Sequence, residues 1–402
     1  MKAATGSRPP RLGVISLFNT PAGLFRWWED FPLRISALLE PHGIDHVLGY
    51  KAFLANAIVP EAARLVAHDE TDVPSPRWVR ETLGPIVDRY DRVIIHTHEH
   101  PMLHGAIWRL TIGHRNRAWW ATHHATRLYR GGSRTTIRRA LQRARVLMPD
   151  RHFGCSVSSA AALRGMVIPE SVGVLLNGRL ADDDLRHFPP RTTIDRALFV
   201  GRLEAVKGVW PLLDAAAALC AADDTFDLTI VGMGPEEEAM RRWIAERGLQ
   251  ARVRMVGYQA DVQPFYEAAD FVIVPSELPP RWSEGFGLVA VEAKRCALPV
   301  IHSLSGGLPE TQLEGVTGIP IDPPSAEQIV AAVQALRHDP ARYHAMREAI
   351  RQERPRWHLD VMARAYVAEY TRALIEGVGM RRNPASNRPR VTPSRTAAAA
   401  AG

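Results

Sequence analysis

Strand-length apolar runs alternate with segments of helical period along nearly the whole chain, in two successive series. The first has strand-like runs at Leu12–Leu17, Arg92–His96, Ala118–Thr122 and Val172–Asn177, and helical spacing at Arg34–Glu40 and Arg134–Leu147. A polar stretch, Asp182–Arg196, with Pro189-Pro190 and no clear period, follows it. The second has strand-like runs at Ala197–Gly201, Leu228–Gly232, Val253–Gly257, Phe271–Pro275 and Pro299–His302, with helices at Val209–Ala222, Pro235–Arg247 and Leu288–Arg295. Such alternation selects parallel sheets with crossover helices. It predicts two doubly wound α/β domains facing each other across a cleft, with ligands held beyond the carboxyl ends of the strands. The boundaries read as a first domain at 1–187, a linker at 188–196 and a second domain at 197–365. A C-terminal helix at 366–379 can return to the first domain, and a basic, Ala-rich tail at 380–402 reads as disordered.

Composition excludes several classes. At 402 residues, 46% hydrophobic and 23% charged, the chain has material for two cores and no fibrous or disordered bias. No apolar run approaches the roughly 20 residues that span a bilayer. The polar start through Arg11 does not resemble a secretory signal. Three widely spaced cysteines, Cys155, Cys220 and Cys296, argue against a disulfide framework and for a reducing cytoplasm, with buried inert thiols expected. The formal charge of +7 is local: the tail after Gly379 holds five arginines and no acid. A second basic stretch, His100–Pro149, has no Asp or Glu and ten arginines between Arg109 and Arg145. Local basicity of this kind suits an anionic partner. Peripheral docking of residues 109–145 to the inner face of a membrane is one reading, and a solvated helix face is the other. Nucleic acid is not expected, because no recognisable module accompanies the basic stretch.

Four features at predicted strand ends carry chemistry. Gly201-Arg202-Leu203-Glu204-Ala205-Val206-Lys207-Gly208 lies between a strand and a helix, in a chain with only four lysines. Paired cations on such a loop suit a diphosphate, Arg as a planar fork and Lys as a mobile point charge; a solvated loop pair is the alternative. Gly232-Met233-Gly234 forms a glycine turn into a helix, either a tight turn or a ligand loop. Glu284-Gly285-Phe286-Gly287-Leu288-Val289-Ala290-Val291-Glu292 brackets a helix start with two carboxylates. Its glycines allow close backbone approach and its first-turn amides attract phosphate. Glu284 then suits the hydroxyls of a sugar, and Glu292 those of a ribose. Gly306-Gly307 forms a further loop of either kind.

In this order and spacing, with Val256-Gly-Tyr258 and Pro275-Ser276, the motifs resemble the retaining family 4 glycosyltransferases. The resemblance covers roughly 198–370. It implies the GT-B fold, two facing Rossmann-like domains, with an N-terminal acceptor domain and a C-terminal nucleotide-sugar donor domain. It implies transfer of a hexose from a UDP- or GDP-sugar to a hydroxyl acceptor, a sugar or a lipid-linked one, with retention, in polysaccharide, glycolipid or natural-product biosynthesis. Arg202 and Lys207 would hold the diphosphate, and Glu284 with Gly285, Phe286, Gly287 and Leu288 the sugar and β-phosphate. Gly232 would lie at the donor, Glu292 at the ribose and Tyr258 near the base. The family works without a metal or other cofactor. A nucleotide-sugar epimerase of the same fold is the runner-up.

The first half follows the family less closely. The first loop, Asn19–Gly23, has one glycine where the family has a pair, so Gly23 alone would reach phosphate. His123 matches a cleft histidine near the sugar, with His124 the competing residue. His96, His98 and His100 alternate on a predicted strand, with His104 beyond, which opens a metal-dependent hydrolase as a rival reading.

Overall fold

The computed structural model describes residues 8–18, 27–50, 64–67, 76–98, 104–124, 147–181, 193–279 and 283–380. The tail at 381–402 and most of the arginine-rich stretch, 125–146, fall outside these residues.

Two wholly parallel sheets form. The first has seven strands: β1 (Leu12–Phe18), β2 (Ile44–Tyr50), β3 (Arg64–Ala67), β4 (Arg92–His98), β5 (Arg117–His123), β6 (Arg151–Gly154) and β7 (Val172–Val174), in the order β3-β2-β1-β4-β5-β6-β7. The second has six: β8 (Arg196–Val200), β9 (Asp227–Val231), β10 (Val253–Gly257), β11 (Phe271–Val274), β12 (Val300–Ser303) and β13 (Gly318–Ile321), in the order β10-β9-β8-β11-β12-β13. The central strands are apolar on both faces, as sheets covered by helices on each side require. All seven residues of β1 and all four of β11 are buried. The two-domain α/β architecture expected from the alternation is therefore present.

Each sheet packs a core on either face. On one face of the first sheet, Val14, Leu48, Ile94 and Trp120 meet Phe31 and Ile35 of the helix Trp27–Leu39. The last helix, Leu359–Leu374, joins the same core through Leu359, Met362, Tyr366, Tyr370 and Leu374, a spacing of three and four that lines one helical stripe. The C-terminal helix thus lies on the first domain and starts at Leu359, earlier than residue 366. The return crossing runs beside the first domain's final loop. Arg179 and Leu180 donate backbone hydrogen bonds to the Trp357 carbonyl at 2.8 and 3.0 Å, and Leu180 bridges His358.

Two of the three cysteines are buried as the sequence reading expected, and Cys220 is only half-buried. All three are free; Cys155 and Cys296 are buried, and burial pushes both thiols up to about 12.

Candidate functional site

In the second sheet the strand order reverses between β8 and β11, which opens a crevice beyond their carboxyl ends. The loops that leave those two strands carry the site. After β8 comes the short 3-10 turn Ala205–Lys207, closed by Gly208 at φ +70°. After β11 comes Pro275-Ser276, and a Cβ on Gly208 would stand 1.9 Å from the Pro275 carbonyl oxygen. Glycine lets the loops touch, and the Glu277 amide joins them by donating to the Val206 carbonyl at 2.9 Å.

This contact converges on one carboxylate. Lys207 Nζ donates to Glu284 Oε1 at 2.5 Å, and Ser276 Oγ donates to the same oxygen at 2.7 Å. The Glu284 backbone is fixed as well: its amide donates to Ser305 Oγ at 3.2 Å, and its carbonyl accepts from the Gly307 amide at 3.0 Å. Gly306-Gly307 therefore supports the carboxylate loop from behind. Gly287 caps the helix Leu288–Ala293, whose first amides have no acceptor within the helix.

Glu292 sits further along that helix, almost fully buried. Arg179 Nε donates to its Oε1 at 2.7 Å, and the Tyr266 hydroxyl donates to its Oε2 at 3.0 Å. Burial, followed by the neighbouring Glu292 charge, holds the Tyr266 phenol well above its usual range, so it keeps the proton it donates. Arg179 belongs to the first domain, as do Asn177 and His124 on the same wall. Burial lowers His124 to about 4, against a hydrogen bond from Asn177, so the ring is neutral near pH 7.

Together these groups enclose a cleft of about 530 Å³ between the domains, a size suited to a small ligand. Its walls include Lys207, Tyr258, Glu284, Gly285, Phe286, Gly287, Leu288 and Glu292, all singled out in the sequence.

Others lie elsewhere. Arg202 is not on the cleft wall: its side chain is 60% exposed and pairs with Glu204 at 2.8 Å. Gly232 stands behind the wall, its amide donating to the Gly257 carbonyl. His123 is buried with Nε2 3.1 Å from His152 Nδ1, while His124, the next residue, reaches the cleft. Consecutive positions at a strand end face opposite ways, which explains the exchange. Gly23 falls outside the described residues.

Of the histidines in the metal reading, the structure describes the side chains of His96 and His98, and both are engaged in the core. His96 and His98 do share a face, their rings stacked 4.4 Å apart. Both His96 nitrogens, however, are engaged by hydroxyls, Nδ1 with Tyr370 at 2.6 Å and Nε2 with Thr122 at 2.8 Å. His98 stacks on Phe18 at 4.5 Å, and His100 lies outside the described residues. The His96 and His98 rings fill the core under the C-terminal helix, against Tyr366.

Sequence reasoning missed Arg179 and Tyr266. A signal existed for the first: Asn177-Gly178, three residues beyond the end of β7, marks a turn at the carboxyl edge of the sheet, where ligands bind. Nothing local marked Tyr266. Among the described residues no helix is long and apolar enough to cross a membrane.

Comparison with known proteins bears on this geometry. Residues 184–353 match the family model of the group 1 glycosyl transferases. A D-inositol 3-phosphate glycosyltransferase of Rhodococcus opacus is 36% identical over 166 residues, covering 39% of this chain and 36% of the relative. The aligned part thus spans little more than a third of that relative's length. A glycosyltransferase from Rickettsia africae superposes over 91% of this chain and 99% of its own, at a TM-score of 0.71 and 17% identity. Anabaena HepE, solved in complex with UDP-glucose, superposes over 90% of this chain and all of its own, at 0.69 and 19% identity. The fold formed by the described residues is GT-B.

Proposed function

We propose that the protein transfers a hexose from a UDP- or GDP-sugar to a hydroxyl acceptor, with retention of anomeric configuration, a reading supported by the match of residues 184–353 to the group 1 glycosyl transferase model and by the GT-B fold. The observation that carries this reading is the placement of Lys207 with Glu284, and of Glu292, around one interdomain cleft, with the Gly285–Leu288 backbone between them. Lys207 and the first-turn amides bind the diphosphate, Glu284 accepts from sugar hydroxyls, and Glu292 accepts from the ribose. The Lys207–Glu284 pair holds the two groups ready before the donor arrives. Fixed cations and backbone dipoles stabilise the charge that builds on the leaving diphosphate; no metal is required for this.

The bond from the anomeric carbon to the β-phosphate oxygen breaks, and the acceptor oxygen bonds to that carbon on the same face. Its proton passes to the departing diphosphate, so the products are a glycoside and a nucleoside diphosphate. HepE, of the same fold, was solved in complex with UDP-glucose, which supports a nucleotide-sugar donor here.

The test is a hydrolysis and transfer screen over UDP-, GDP- and ADP-sugars with wild type and Lys207→Ala. The variant is expected to lose about 10²–10³ in turnover while melting close to wild type. Unchanged turnover removes Lys207 from the diphosphate site. An epimerised nucleotide sugar formed without acceptor would replace transfer with epimerisation.

A further inference from the structure

Glu292 draws its main charged partner from the other domain. The Arg179 backbone is pinned to the return crossing through the Trp357 carbonyl, and its own carbonyl accepts from Arg295 at 3.4 Å. Gly178 before it packs so closely that a Cβ would lie 2.7 Å from the His358 carbonyl oxygen. A guanidinium on so fixed a stem loses little freedom when it pairs. It meets Glu292 through Nε at 2.7 Å. Tyr266, on the opposite side, takes the other oxygen at 3.0 Å. A carboxylate offers about four lone-pair sites, so two protein donors leave capacity for a ligand, and Glu292 is on the cleft wall.

Resting on the glycosyltransferase reading, we infer that Arg179 is a positioning residue for ribose recognition: a first-domain guanidinium that aims the second domain's Glu292 at the ribose hydroxyls. Tyr266 alone would leave the carboxylate free to turn about one bond. With both donors in place, its orientation is fixed before the nucleotide enters. Ribose recognition then depends on the two domains standing together, because neither supplies the arrangement by itself.

The probes are UDP and GDP with their 2′-deoxy counterparts, titrated calorimetrically into the full chain. Wild type is expected to prefer the ribonucleotide by about tenfold, the worth of one hydrogen bond to a charged acceptor. Arg179→Met should erase most of that preference by weakening ribonucleotide binding and leaving 2′-deoxynucleotide binding nearly unchanged. Arg179→Lys should recover part of it. A general loosening of the fold, or a direct contact of Arg179 with phosphate, weakens both nucleotides equally, and that result overturns the inference. Preserved discrimination in Arg179→Met overturns it too. Glu292→Gln separates the two levels. If Glu292→Gln abolishes discrimination and Arg179→Met does not, only the role of Arg179 fails. If wild type itself binds both sugars alike, the ribose assignment of Glu292 fails and takes the inference with it.

Discussion

Gly208 touches no ligand in the proposed mechanism, yet its replacement should disable the site. A Cβ there would stand 1.9 Å from the Pro275 oxygen, against a normal carbon–oxygen approach of about 3.3 Å. Gly208→Ala therefore drives the two loops apart by roughly 1.4 Å, the difference between those distances. The displaced neighbours are Lys207 and Ser276, both of which hold Glu284 Oε1. Misplacement of catalytic groups by about 1 Å costs on the order of 10²-fold in rate. The left-handed backbone adds about 1–2 kcal/mol of instability for any residue with a Cβ. Gly248 separates these effects, because its φ is +65° and a Cβ there would meet nothing within 4 Å. Gly248→Ala should lose stability of about that backbone size alone and keep wild-type turnover. Gly208→Ala should lose more stability and about 10² in turnover. Urea unfolding and donor-consumption kinetics on the two variants provide the comparison. If Gly208→Ala turns over like Gly248→Ala, the loop contact does not build the site.

The legible part of this protein was whatever one segment carries by itself. Apolar runs buried on both faces announced β1, β4, β8 and β11, because a covered strand needs no alternation. A rare lysine on a strand-to-helix loop and two carboxylates eight positions apart, around glycines, announced the donor side. β2 escaped notice because Asp45, His46 and Gly49 interrupt its apolar run. His46 is satisfied only across the fold, by Ser16 and Ser36 at 2.8 Å each. Side-chain direction was illegible for the same reason. Arg202 has the right chemistry but turns to Glu204, two residues away. His123 and His124 differ by one position and face opposite ways. Arg179 reaches Glu292 across 113 positions of sequence, a contact fixed by how the domains meet.

Two further perturbations probe the frame of the cleft. Burial lowers His46 to about 3, so between pH 6.5 and that value the unfolded chain binds a proton that the native ring refuses. Stability accordingly falls with falling pH, by about 2 kcal/mol from pH 7 to 5 for this residue. Urea midpoints at the two pH values should differ less in His46→Gln than in wild type, and an unaltered difference refutes the assignment. The interdomain seam has its own test at Glu310, a second-domain carboxylate that accepts from the Val157 and Ser158 amides, each at 2.7 Å. Those amides open the helix Val157–Arg164 of the first domain, whose capping residue Ser156 also donates through Oγ to the Gly285 carbonyl at 2.7 Å. Glu310→Ala removes the charge from the helix start and should cost about 1 kcal/mol. Because the same seam holds Gly285, donor KM should rise with it; a variant that unfolds earlier but keeps its KM would confine Glu310 to stability.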